Sequence, residues 1–115
     1  MGNITKLIVL GLIENSKGEI LISQRIDPNV KEANLKWDLI GGKNEYGESL
    51  EDTIIREAVE EADIKIKVIE MIPRSTSHIW KYDNRELHVI VLCFKCKLIE
   101  GNPKLGDHKI GKLKW

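Results

Sequence analysis

Only one stretch of this chain repeats its apolar residues at helical spacing, and everything around it reads as strand or turn. Ser49-Leu-Glu-Asp52 has the form of a capping box, which offers acceptors to the free amides of a helix start. At about 100° per residue, Ile54, Ile55, Ala58, Val59 and Ala62 fall on one arc, while Glu57, Glu60 and Glu61 fall roughly opposite. The pattern predicts a helix over residues 50–62, with the apolar arc in the core and a carboxylate cluster on the other side. A single helix must then cover a sheet.

The strand signals supply that sheet. Residues 6–12 and 20–26 are β-branched and leucine-rich and are separated by turn-forming residues 14–19, so they predict a hairpin. A polar loop surrounds Pro28, and the short apolar segment 37–40 is stopped by Gly41-Gly42. Residues 64–72 alternate as a strand that Pro73 is expected to end; 77–82 and 86–98 read as two strands joined across 83–85. A Lys-rich loop then leads to 113–115, the start of another strand. With 115 residues and 42% hydrophobic content, the chain predicts one mixed α/β (α+β) domain over 1–115 around one core.

The longest apolar run, residues 7–13, is far below the ~18–20 that a spanning helix needs, which excludes a membrane helix. No basic segment precedes that run, so no signal peptide is expected and the protein is placed in the cytoplasm. Cys93 and Cys96, three apart on a strand, point to opposite faces and predict free thiols rather than a disulfide or a zinc site.

Net charge is zero, but it is divided: residues 1–41 are neutral, 42–63 carry −6 and 64–115 carry +6. An acidic block attracts cations and a basic remainder holds anions. Glutamates at i, i+3 and i+4 repel by a few tenths of a kcal/mol per pair, roughly, and Arg56 relieves only part of this. A solvated acidic face is the plain alternative. Against it stands the Gly-Gly turn, whose carbonyls beside the carboxylates make the oxygen-rich setting that hard divalent cations such as Mg²⁺ prefer.

Gly42, five residues, Glu48, seven residues, then Arg56-Glu57-Ala58-Val59-Glu60-Glu61 resembles the Nudix box, Gly-x5-Glu-x7-Arg-Glu-U-x-Glu-Glu-x-Gly-U with U apolar. Six defining residues at fixed spacing have a chance probability on the order of 10⁻⁷ per register at ~7% usage of each. Trp37-Asp-Leu-Ile-Gly-Gly-Lys43 is similar to the family's approach to the box, which spans about residues 42–64 here. The final Gly is Asp63, a residue that tolerates the left-handed conformation, and the Pro that often precedes the Gly pair is Ile40.

The resemblance implies a Nudix-type α/β/α sandwich with a mixed β-sheet. The family's usual last helix follows the segment resembling residues 112–115, so that helix is expected to be lacking. It also implies hydrolysis of pyrophosphate bonds in nucleotides with Mg²⁺ or Mn²⁺. Glu57, Glu60 and Glu61 then correspond to metal ligands, joined by the Gly41 carbonyl and by Glu48 directly or through water; Glu57 or Glu61 also orients or deprotonates the attacking water. Arg56 resembles the arginine that holds the glutamates. Arg25, Lys43 and Asp107 are candidates for contacting substrate, with ordinary surface roles as the alternative for the first two.

Small members of the family suggest nucleoside triphosphates, including oxidised dGTP, as substrates, giving a monophosphate and pyrophosphate. ADP-ribose or a nucleotide sugar, or a non-catalytic nucleotide-binding module, are the alternatives. The scattered lysines carry no nucleic-acid recognition motif, so the expected partner is a nucleotide, with a homodimer left open.

Overall fold

The computed structural model describes residues 3–106 and 109–115. Its elements run β1 (Ile4–Glu14), β2 (Ile22–Arg25), β3 (Trp37–Lys43), α1 (Leu50–Ala62), β4 (Lys65–Lys81), β5 (Glu86–Glu100) and β6 (Ile110–Lys114). The six strands form one sheet in the order β4-β5-β1-β3-β2-β6. β1 and β5 are parallel and the remaining pairs antiparallel, so the sheet is mixed, as expected.

The core lies between α1 and one face of the sheet. Val9 and Ile13 of β1, Ile40 of β3, Phe94 and Cys96 of β5, and Ile64 and Ile66 around the start of β4 pack with Ile54, Ala58 and Ala62. Full burial of Ile13, Ile40 and Ile54 stabilises the domain by roughly 1.5–3 kcal/mol for each. Gly11 makes room for this contact: a Cβ there would stand 2.7 Å from Cγ1 of Ile54.

Both helix ends form as the sequence predicts. The Ser49 hydroxyl accepts from the Asp52 amide at 3.0 Å. At the other end Asp63 takes the left-handed conformation, φ 53° and ψ 44°, and its amide donates to the Val59 carbonyl at 3.0 Å. Asp63 thus does the work of the glycine it replaces.

Three expectations are corrected. Residues 6–12 and 20–26 do not pair as a hairpin, because β3 lies between β1 and β2; only the Glu14–Ile20 bridge and the Leu21 amide bonded to the Ile13 carbonyl join them directly. The turn at 15–18 reverses the chain without choosing its partner. Gly41 lets β3 lie close on β1, since a Cβ there would strike the Val9 carbonyl oxygen and approach the Leu10 Cα at 2.8 Å.

Next, residues 64–72 and 77–82 belong to one strand, β4, which runs through Pro73 with its register shifted between Met71 and Ser75. β4 is at the edge of the sheet, where a proline's missing N–H is tolerated. The buried face of α1 is also rotated from the predicted arc: Ile55 and Val59 are exposed, while Thr53 and Glu61 are buried. Hydrogen bonds donated from β3 to Glu61 and from the box loop to Thr53 compensate for those buried polar groups. The expected fold class itself holds: the described residues form one helix on a six-stranded mixed sheet. No helix of the described residues is long and apolar enough to cross a membrane.

Candidate active site

The loop between β3 and α1 and the first three turns of α1 bring together most of the box residues. Arg56 is the centre of the cluster. Its Nε donates to Oε2 of Glu48 at 2.7 Å, and its Nη2 donates to Oε1 of Glu48 at 3.2 Å and to the Lys43 carbonyl at 3.0 Å. Its Nη1 donates to Oε1 of Glu57 at 3.0 Å and to Oε2 of Glu60 at 3.1 Å. All five guanidinium N–H groups are therefore committed, to three carboxylates and one carbonyl.

Glu48 is equally committed. Besides Arg56, its Oε1 accepts from the Glu45 amide at 3.1 Å and from the Thr53 hydroxyl at 2.7 Å. The bonds from Arg56, then from the Glu45 amide and Thr53, hold its carboxyl down at about 2. The same pairing with Glu48, followed by Glu60 and Glu57, raises the Arg56 pKa, so its positive charge is permanent.

Glu57 and Glu61, one turn apart, both meet the glycine pair. The Glu57 carboxylate lies so close over Gly42 that a Cβ on that residue would strike it. Glu61, only 8% exposed, accepts the Gly41 amide at 3.0 Å. Glu60 is half-exposed at the rim, with Arg56 its neighbour. Glu57 and Glu61 thus sit where α1 meets β3, while Glu60 stays on the open side of the helix.

Not every candidate joins them. Arg25 lies on β2, exposed, in an ion pair with Asp27 at 2.9 Å. Lys43 contributes its backbone carbonyl to the cluster while the residue is exposed. Asp107 lies outside the described residues. Two residues were not singled out from sequence: Thr53, fully buried, and Asn44, whose Nδ2 donates to the Thr53 hydroxyl at 2.8 Å and to the Glu48 carbonyl at 3.0 Å. At 100° per residue Thr53 falls between Glu60 and Glu57 rather than on the predicted apolar arc, so no local pattern marks either residue.

The glycine pair does not stop the strand as expected but lies within β3. The donor set fits a hard divalent cation: several carboxylates and the backbone of that pair, all oxygen, partly shielded from water. As the side chains stand, no three His, Cys, Asp or Glu among the described residues converge on one point.

The family model of the NUDIX domain matches residues 5–115. This chain belongs to the NUDIX family. It is accordingly a hydrolase of pyrophosphate bonds, in a family that generally uses divalent metal ions. Among solved structures it resembles a MutT protein from Methanosarcina mazei Go1, with 27% identity over 98% of this chain and 77% of that one, at a TM-score of 0.76. It also resembles a MutT NUDIX hydrolase from Burkholderia pseudomallei, 21% identical over 96% and 81% of the two chains, TM-score 0.80. An ADP-ribose pyrophosphatase from Streptococcus suis, 19% identical over 95% and 71%, has a TM-score of 0.66. The two less identical neighbours bear on the fold alone.

Proposed function

We propose that this Nudix chain hydrolyses nucleoside triphosphates to a monophosphate and pyrophosphate, with Mg²⁺ or Mn²⁺. The observation that carries the reading is the pairing of Glu57 and Glu61 against Gly41-Gly42 while Arg56 grips Glu57, Glu60 and Glu48. The M. mazei neighbour described as a MutT protein supports the triphosphate choice.

Glu57, Glu60 and Glu61, with the Gly41 carbonyl, would hold the ion. When bound, it neutralises phosphoryl charge and lowers the pKa of water. The protein's own groups divide the remaining work. Glu57 or Glu61 orients and deprotonates the attacking water. Arg56 holds Glu57 and Glu60 in fixed directions, and Glu48, with both oxygens already bonded, anchors Arg56 and is a poor candidate for direct ligation. Lys43 and Arg25 supply positive charge for the polyphosphate, Arg25 once it leaves Asp27.

The test is a panel of nucleoside triphosphates, oxidised dGTP, ADP-ribose and nucleotide sugars, assayed with Mg²⁺, with Mn²⁺ and with a chelator. Pyrophosphate release from triphosphates is expected to vanish on chelation and return with the ion. Glu57→Gln and Glu61→Gln are each expected to lower kcat by about 100-fold or more. Turnover of ADP-ribose or a sugar nucleotide instead would replace the substrate class. Binding without any turnover would make the chain a nucleotide-binding module.

A further inference from the structure

Arg56 and Glu48 do not hold each other in place unaided. Beside them a partly buried chain of hydrogen bonds runs from Asn44 through Thr53, itself fully buried, to Glu48. The Glu48 carbonyl can only accept, so the amide nitrogen of Asn44 must face it at 3.0 Å; the other hydrogen of that nitrogen goes to the Thr53 hydroxyl at 2.8 Å. The hydroxyl oxygen is therefore an acceptor from Asn44, and its single proton is left for Oε1 of Glu48 at 2.7 Å or the Ser49 carbonyl at 3.1 Å. The shorter contact, to a charged acceptor, is the stronger one. Thr53 is fully buried, and the backbone of Asn44 is fixed by its amide's bond to the Leu7 carbonyl on β1, at 2.9 Å.

We infer that Asn44 and Thr53 are positioning residues: they lock the Glu48 carboxylate, and through it the plane of the Arg56 guanidinium that directs Glu57 and Glu60. Neither residue is among those that define the box. The consequence follows from geometry. The Nε and Nη2 donors of Arg56 meet Glu48 as a two-pronged fork, so any rotation of that carboxylate turns the guanidinium and swings Nη1 away from Glu57 and Glu60. Misdirected groups slow the chemical step while leaving substrate affinity largely alone.

The effect on turnover rests on the hydrolase reading above, but the positioning itself is measured without substrate. Three variants of the full chain serve. Thr53→Val removes the hydroxyl at nearly constant volume, Thr53→Ser keeps it, and Asn44→Val removes the amide donor from an accessible loop position if Thr53→Val does not fold. The first readout is hydrogen exchange of the Arg56 Nε–H in ¹⁵N spectra of the protein alone. In Thr53→Val this exchange is expected to accelerate by about 10-fold or more, and in Thr53→Ser to stay within about twofold of wild type. The second readout, on whichever nucleotide the wild type turns over, is a fall in kcat of about 10-fold or more with KM within about twofold, again restored by Thr53→Ser.

Unchanged Nε–H exchange in both Thr53→Val and Asn44→Val overturns the inference, whatever kcat does. Faster exchange with unchanged kcat overturns its mechanistic half. A wild type that hydrolyses no nucleotide removes the hydrolase reading and leaves the exchange measurement to decide the positioning.

Discussion

Neighbouring glycines at positions 41 and 42 answer to different constraints. The three atoms nearest a Cβ at Gly42 all belong to the Glu57 carboxylate, whereas one at Gly41 meets the backbone of β1. Gly42→Ala is therefore expected to fold with a thermal midpoint near that of wild type but to lose most hydrolysis, because Glu57 is pushed aside. Gly41→Ala is expected to lose stability first, and paired melting and activity curves separate the two. Glu48 gives a pH signature. Its folded pKa of about 2 lies below its ordinary 4.5, so the stability it contributes is complete above the higher value and disappears as pH falls towards the lower. The difference in melting temperature between wild type and Glu48→Gln should be flat above about pH 5 and close progressively below it. The charged residues at the cluster were legible in sequence because the spacing of a helix alone brings Arg56 next to Glu57 and Glu60. Asn44 and Thr53 were not, since their importance comes from a contact between a loop and a helix that no local pattern encodes.

Element by element, the helix was the most readable part of the chain. Its start at Ser49 and its end at Asp63 are local chemistry, and both appear where the sequence places them. Ser49→Ala is expected to lower stability by about 1 kcal/mol in denaturant titration. Asp63→Gly should raise it by about 1 kcal/mol, because glycine enters the left-handed region without the cost of a Cβ. Which residues the helix buries was less readable. Its rotation is set by Gly11 receiving Ile54 and by Glu61 reaching the Gly41 amide, and both are tertiary contacts. Strand existence was likewise visible in the alternation of residues. Strand partners were not, since the turn at 15–18 looks the same whether or not a third strand enters between its arms. Pro73 reads as a stop in any sequence window, and only its place on the sheet's outer strand makes it permissible.

Across the whole molecule the divided charge has a spatial meaning. The −6 block is wound into one loop and one helix, while much of the +6 remainder lies on β4, β5, β6 and their connections. The order of the sheet has a further effect. β3 changes partner along its length: residues 37–39 pair with β2, and 40–43 pair with β1. Among the described residues, the β2–β6 pair is joined to the rest of the ladder through the first half of β3, with further backbone contacts at residues 13–14 with 20–21 and at Arg25 with residues 35–36. Such a wing can open without breaking the β1–β5 centre, and the point where it would swing lies next to Gly41. Native-state amide exchange is expected to show β2 and β6 opening together, at lower free energy than β1 and β5. The glycine pair that receives Glu57 and Glu61 would then stand at the boundary between two units of unequal stability, so that loosening one strand pair reaches the glutamates without unfolding the domain.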